Sequence, residues 1–428
     1  MKQIVILLSI LFLLPDFGIC QDGNERAKNR MEAQANKLSM SKYILNDDTY
    51  IPYPDSFVPA KTLKVRLVFI HFSEDDPRNF DANDPEHMAF FKKIFDRVNE
   101  RYRNLVDVNN CGDFIQNSQL QFKIIDQVNI ISAEKWDNSI WGDNAVNSAS
   151  RGVIDLHEWL PTVGVERDAI NCVFTEASCF YDENFNNGNG CGTEVSIPLN
   201  SGVSASSPFP NNKLLSGSTN HYRNKFSGWF GHNNNANCEK YPNRCCPACP
   251  ESWQTDPTNY IHELGHSIWG PHINNKCNHI MTNYIQGTYS SAKELGKIHR
   301  SMSVMNTREL VFGCPKGKLP MVIDKTESWE TDFKSYNDIV IKDGGHLIIK
   351  NKLAMPLGST ITIERGGKLT LDEALITKSC DENWSGIEII PEPSFLFFKT
   401  TKNQLFINGN STIEGSDFSV KKIKKSRN

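Results

Sequence analysis

The chain lacks an excess of charge of either sign, and it has only one long apolar run. Its 428 residues carry 46 Lys and Arg against 50 Asp and Glu, a formal net charge of -4. Without a basic field there is no electrostatic reason to expect nucleic acid as a partner. Beyond the N-terminus no segment is apolar and long enough to cross a bilayer, so no membrane span is expected.

The single apolar run, residues 4–14, is typical of an export signal. Lys2 precedes it, and small residues lead to Cys20, where cleavage is expected. The run is too short to span a bilayer comfortably. We expect residues 1–20 to be a signal peptide and the mature protein to be secreted. Lipid anchoring at Cys20 is the second interpretation. It is disfavoured because Ile19 is bulky for a residue that precedes a lipidated cysteine.

Cysteine use agrees with export. Of the 12 cysteines, eleven remain after Cys20 is removed. An oxidising compartment makes disulfides the default expectation, and the odd number leaves at least one thiol unpaired within the chain. Cys245, Cys246 and Cys249 could instead form half of a structural zinc site, which we rank below disulfides.

Apolar periodicity over residues 61–313 predicts an α+β domain. Residues 63–72 form an apolar run of strand length, residues 83–85 are typical of a helix start, and residues 120–125 and 169–174 predict further strands. Strand, helix, strand, strand is the pattern of a mixed sheet with a helix packed on it.

Three other segments differ in composition. Residues 21–60 are polar with little periodicity, which predicts a pro-segment or a flexible lead. Residues 183–252, inside the α+β domain, form an insertion rich in Asn, Gly and Cys. Disulfides between its cysteines would restrict its flexibility. Residues 314–428 form a C-terminal module, which we expect to fold separately. Peptide hydrolysis is then expected to depend on the α+β domain alone.

A repeat marks the C-terminal module. Ile339–Lys350 reads IVIKDGGHLIIK and Ile361–Asp372 reads ITIERGGKLTLD, so the glycine pairs lie 22 residues apart. Short strands at this period predict stacked coils that resemble a parallel β-helix, with residues 385–389 as a further coil. The alternative is a β-sandwich containing two similar hairpins. Coils would offer a surface for contact with a glycan or another surface.

The chemically informative stretch is HELGH, residues 262–266. On a helix, His262 and His266 lie on one face and can share a metal ion. Glu263 lies beside them and is the candidate general base for a metal-activated water. A catalytic zinc site needs three protein ligands and one open position, so a third ligand must come from elsewhere.

His272 is the candidate third ligand. It lies six residues beyond His266, and Gly270 and Pro271 supply the helix break that lets the chain turn back. Glu294 is the rival, which would make the site similar to the glutamate-ligated zinc peptidases. Either set predicts one catalytic Zn2+ ion.

The stretch HELGHSIWGPH, residues 262–272, resembles the pattern HExxHxxGxxH of the metzincin clan of zinc peptidases. Trp269 stands where that pattern has glycine, and Gly270 follows it. The resemblance covers residues 63–313 and is closest to secreted bacterial metzincins of the pappalysin-like type. It implies a zincin fold with an active-site helix, zinc held by three histidines, and a protein or peptide substrate.

The resemblance also implies a methionine-containing turn beneath the metal. Met281, nine residues past His272, matches this turn better than Met305 does. Residues 290–302 resemble the closing helix that follows the turn. Tyr284 is a further candidate, since some metzincins use a nearby tyrosine to touch the metal or an oxyanion.

Three functions stay open at this point. The first is a zinc endopeptidase acting on extracellular protein, and no cysteine between residues 21 and 110 is present to mask its metal. The second is a surface-binding or adhesive protein with a structural metal site. The third is a zinc hydrolase of a non-protein substrate. Glu263 favours hydrolysis over a structural site, because structural zinc usually has four protein ligands and needs no base.

Overall fold

A computed structural model describes residues 42–74, 80–133, 159–175, 205–206, 214–218, 258–268, 277–281, 287–390 and 404–422. These residues form two units, a mixed sheet with helices and a C-terminal series of parallel sheets. None of the helices in the described ranges is both long and apolar enough to cross a membrane.

The first unit is built on a five-stranded sheet with the strand order β2-β1-β3-β5-β4. All neighbouring strands are parallel except β4, which pairs antiparallel with β5 at the edge. The predicted mixed sheet is therefore confirmed. The strands are β1 (Lys61–His71), β2 (Leu120–Ile131), β3 (Ile170–Thr175), β4 (Ala205–Ser206) and β5 (Leu214–Ser218).

The described helices follow local signals in the sequence. Asp84 caps the second helix by accepting from the backbone N–H groups of residues 86 and 87, and Pro85 occupies its first turn. Ser291 caps the fourth by accepting from the N–H of Glu294. The helices are α1 (Lys42–Leu45), α2 (Pro85–Arg103), α3 (Thr258–Ile268) and α4 (Ala292–Val304).

The second half of strand β1, Leu67–Ile70, is continuously apolar because both of its faces are covered. Leu67 and Phe69 lie in the main core together with residues of α2 and α3. Val68 and Ile70 face the other side, in a smaller cluster that includes Val173. A strand buried on both faces is expected to be a continuous apolar run rather than an alternating one.

The second unit, residues 321–422, is called here the C-terminal stack. The chain visits three sheets in turn, with orders β6-β9-β12-β15-β18, β7-β10-β13-β16 and β8-β11-β14-β17. Its strands are β6 (Met321–Ile323), β7 (Thr326–Trp329), β8 (Phe333–Lys334), β9 (Ile339–Ile341), β10 (His346–Ile349), β11 (Lys352–Met355), β12 (Thr360–Ile363), β13 (Lys368–Asp372), β14 (Leu375–Lys378), β15 (Gly386–Ile389), β16 (Leu405–Asn408), β17 (Thr412–Ile413) and β18 (Val420–Lys422).

The sequence repeat brings equivalent residues into register in the stack. Ile339 pairs with Ile361, and His346 pairs with Lys368, each 22 residues further along the chain. Every strand pair in the described part of the stack is parallel. Hairpins are antiparallel, so the β-sandwich alternative is wrong.

The repeated glycine pair has a backbone reason. Gly366 has a φ of 75°, in the left-handed region that favours glycine. Gly367 lies against the previous turn of the stack, where a Cβ would come within 2.6 Å of the Ile341 carbonyl oxygen. The first glycine of each pair therefore makes the turn, and the second allows close stacking.

Residues 42–58 pack between the two units. Tyr43, Ile44, Tyr50 and Val58 are buried in the core of the stack, and the Tyr43 hydroxyl donates to the Val322 carbonyl over 2.6 Å. The same segment holds α4, because Arg300 lies 3.0 Å from Asp47 in a buried ion pair. This part of the range predicted as a lead or pro-segment thus contacts both units.

Two disulfides lie among the described residues, which confirms the expectation of cysteine pairing for the four cysteines involved. Cys111 pairs with Cys277, and Cys314 pairs with Cys380. Cys172 on β3 is a buried free thiol. The remaining cysteines, including those from Cys238 to Cys249, lie outside the described residues.

Candidate metal centre

Helix α3 carries the first part of the motif. His262, Glu263 and His266 all fall within Thr258–Ile268, so the predicted helix is confirmed there. The spacing of four residues puts both histidines on one face of the helix. The side chains of Glu263 and His266 lie outside the described part of the structure.

His262 has a defined orientation. Its side chain is buried, and Nδ1 lies 2.9 Å from the backbone carbonyl oxygen of Ile280. A carbonyl can only accept, so Nδ1 carries the proton and the lone pair is on Nε2. Metal-ligating histidines commonly donate their other ring N–H to a backbone carbonyl in this way.

Met281 lies directly against α3. It is buried, and a Cβ built at Gly265 would overlap its sulfur while lying 3.3 Å from its terminal methyl carbon. Gly265 falls on the helical turn between the two motif histidines, so Met281 packs at the base of that turn. The rival Met305 is the C-cap of α4 instead.

Neighbouring helices hold α3 near both ends. The buried Tyr102 hydroxyl of α2 donates to the Ile261 carbonyl over 2.9 Å. At the other end, Ser301 of α4 places its hydroxyl 3.2 Å from the carbonyl of Ile268, the last residue of α3. These contacts fix α3 against α2 and α4, and His272 lies outside the described residues.

The segment that carries Met281 is tied down before and after it. The disulfide from Cys111 reaches Cys277, and Asn278 takes a left-handed φ of 52°. The Ile280 N–H then donates to the Tyr289 carbonyl over 2.8 Å. The carbonyl that orients His262 is therefore part of a turn with several independent restraints.

His279 is a site residue that the sequence did not single out. Its Nδ1 accepts the Met281 backbone N–H over 3.0 Å, and its side chain is 2% exposed. Burial, with smaller contributions from His262 and Lys297, lowers the pKa of His279 to about 4. Its position two residues before Met281 was the available signal.

Glu294, the rival third ligand, has another partner. It lies in the first turn of α4, and its carboxylate is 2.7 Å from the ammonium of Lys297. This one-turn ion pair gives Glu294 a local electrostatic role on its own helix. Tyr284, the remaining candidate, lies outside the described residues.

The donor chemistry of the centre fits zinc. Imidazole nitrogen is a preferred zinc ligand, and the Ile280 carbonyl holds His262 in the tautomer that has its lone pair on Nε2, as ligation through Nε2 requires. Among the side chains that the structure describes, no group of three or more metal-binding residues comes together. Two of the three expected ligands, His266 and His272, are not among those side chains.

Comparison with known proteins identifies no relative. No family model matches the sequence, and no curated protein matches it. The resemblance to metzincins therefore rests on the sequence motif at residues 262–272.

Proposed function

We propose that this protein is a secreted zinc-dependent endopeptidase. His262, His266 and His272 hold the metal, and Glu263 is the general base. The observation that carries the proposal is the hydrogen bond from His262 Nδ1 to the Ile280 carbonyl. It orients a buried imidazole for ligation, on a helix whose next turn presents His266 on the same face.

We further infer that the first unit is a zincin of the metzincin type. Three features support this: the mixed five-stranded sheet with an antiparallel edge strand, the motif helix α3, and Met281 packed against Gly265. We infer equally that the stack is a parallel β-helix, because its strands pass through three parallel sheets in rotation. The export signal and the two disulfides support secretion.

The chemistry follows from the residues of α3. A bound zinc ion supplies Lewis-acid activation of a water molecule and of the scissile carbonyl. The Glu263 carboxylate accepts the proton of the attacking water and delivers it to the amine that leaves. The hydrogen bond from the His262 Nδ1–H to the Ile280 carbonyl holds this ring in one orientation.

Strand β4 supports a peptide substrate. Among the described strands it lies at an edge of the sheet, where it runs antiparallel to β5 and contacts α3. An edge strand offers unpaired backbone N–H and C=O groups, to which an extended peptide can add as another strand. Such binding would bring the peptide backbone beside the motif helix, which favours peptide hydrolysis over hydrolysis of a non-protein substrate.

The test combines metal analysis with proteolysis. We expect one zinc per mature chain, cleavage of casein or gelatin, loss of cleavage with a zinc chelator, and recovery when zinc is added back. Cleavage that continues in metal-free protein contradicts the proposal. A zinc-loaded protein that cleaves no member of a peptide library would favour the non-protein hydrolase.

A second role, in surface contact, is favoured by the last turn of the stack. Phe406, Ile407 and Val420 are 37%, 51% and 40% exposed there. Exposed apolar side chains in this turn can contribute to contact with another macromolecule. This role can accompany proteolysis. Surface contact alone would explain the stack but would leave Glu263 without a role.

A further inference from the structure

One peptide group of the 279–281 turn makes hydrogen bonds to two histidines, one of which lies on the motif helix. The carbonyl of Ile280 accepts from His262 Nδ1, and the N–H of Met281 donates to His279 Nδ1, over 2.9 Å and 3.0 Å. This C=O and this N–H belong to the same planar peptide unit, and in a trans peptide they point in opposite directions. Two histidine side chains therefore form hydrogen bonds to opposite sides of one peptide plane.

The hydrogen-bond directions are determined by the peptide. The N–H of Met281 can only donate, so His279 presents its Nδ1 lone pair and carries its proton on Nε2. The Ile280 carbonyl can only accept, so His262 carries its proton on Nδ1. The result is a directed chain from His262 through the peptide to His279. Hydrogen bonds in such a chain polarise one another and strengthen.

Packing alone does not explain a histidine at residue 279. The side chain is 2% exposed, and its Nε2 has no hydrogen-bond partner among the described residues. A buried polar N–H without a partner costs stability, so an apolar side chain of similar volume would suit the space better. What leucine cannot supply is the acceptor for the Met281 N–H.

The turn itself does not depend on His279 for its fold. The disulfide of Cys277, the Ile280 N–H bond to Tyr289 and the N–H bond from Thr288 to Asn278 all hold it. The hydrogen bond to His279 instead restrains the rotation of the peptide plane between residues 280 and 281. That rotation decides where the Ile280 carbonyl points, and hence how the His262 ring is turned.

We propose that His279 is a positioning residue of the metal centre, which fixes the 280–281 peptide plane and through it the orientation of His262. This inference rests on the proposed zinc-peptidase function. Replacing a group that orients a metal ligand by hydrogen bonding typically lowers metal affinity by about 10–100-fold.

The test measures zinc affinity of the metal-free full-length protein by competition with a chromophoric chelator, together with its unfolding in urea. His279→Asn keeps an acceptor oxygen near the Nδ1 position, whereas His279→Leu removes it. We expect His279→Leu to bind zinc about 10–100-fold more weakly. Its metal-free form should keep about the wild-type stability, because the variant loses the unpartnered Nε2–H but leaves the Met281 N–H without its acceptor. His279→Asn should keep most of the affinity.

His279→Gln guards against a variant that fails to fold. Its amide reaches beyond the Nδ1 position, so it is polar and neutral but misplaces the acceptor, and we expect it to bind zinc as weakly as His279→Leu. Equal zinc affinity in the Asn and Gln variants overturns the positioning role. Wild-type protein that binds no zinc overturns the proposed function and this inference together, whereas tight wild-type binding that His279→Leu retains overturns this inference alone.

Discussion

Gly265 and Met281 are in such close contact that residue 265 cannot carry a Cβ without overlapping the methionine sulfur. A Cβ there would also lie 3.5 Å from the Tyr102 hydroxyl, so the space is enclosed by two elements. A side chain at the fourth residue of the HELGH motif therefore requires the buried Met281 side chain to shift.

This contact predicts the effect of Gly265→Ala. Alanine normally stabilises a helix relative to glycine, by up to about 1 kcal/mol. Here we expect destabilisation of about 1–3 kcal/mol, because the methyl group overpacks the site, and weaker zinc binding. Adding Met281→Ala should relieve the overlap, so the double variant should lose less stability than the two single losses combined. Additive losses in urea unfolding would contradict the contact.

Glu263→Gln tests the general base. The amide keeps the size of the side chain but cannot take a proton, so we expect kcat to fall by about 10²–10⁴-fold with zinc content unchanged. Glu86→Gln, a substitution of an exposed glutamate on α2, is the matched control and should leave activity unchanged. Full activity of Glu263→Gln would exclude the assigned role.

The identity of the third ligand is decided by two alanine variants. If three neutral imidazoles hold the zinc, its full positive charge remains to favour ionisation of bound water, and His272→Ala should strip the metal. Glu294→Ala should keep it and lose only the ion pair with Lys297. Metal content of the two purified variants is the measurement. The reverse outcome would leave a zinc peptidase but end the metzincin assignment.

The junction of the two units predicts a pH dependence. Lys61 is buried with its ammonium 2.9 Å from His299 Nδ1 and 4.5 Å from the centre of the Tyr336 ring. Burial, with a smaller contribution from Lys334, lowers the pKa of Lys61 from 10.5 to about 7. Burial likewise lowers the pKa of Lys334 to about 8 and holds the pKa of His299 well below its ordinary value.

Each of these groups binds a proton more weakly in the folded protein than in the unfolded chain. The free energy of unfolding should therefore rise with pH between about 7 and 10.5, through the lysines, and fall on acidification below about 6.5, through His299. Lys61→Met should remove a large part of the alkaline rise in urea unfolding. The exposed Lys92→Met on α2 should not, and an unchanged slope in Lys61→Met would contradict the assignment.

Ending the chain at residue 313 tests whether the two units fold separately. The sequence predicts that they do and that hydrolysis survives. The packing leads us to expect a lower melting temperature, because four buried apolar side chains of residues 42–58 lose the core they pack in. A shortened protein with the wild-type melting temperature and activity would restore the expectation of independent units.

Much of the fold was predictable because its signals are local in the chain. The apolar run of β1, the Asp84–Pro85 start of α2 and the Ser291 cap of α4 depend on neighbouring residues only. The 22-residue repeat predicted the stacking register for the same reason, since equal spacing brings Ile339 beside Ile361. The placement of HELGH on a helix also follows from local spacing.

The sequence by itself determined the residue types of the candidate centre and the helix that carries His262, and His272 and Tyr284 stay predictions. Only the tertiary structure decided what holds that histidine. The Ile280 carbonyl is 18 residues away, Cys111 and Cys277 are separated by 166, and Lys61 and His299 by 238. Such contacts leave no periodic trace in a sequence, because they depend on how distant segments are brought together when apolar faces are buried.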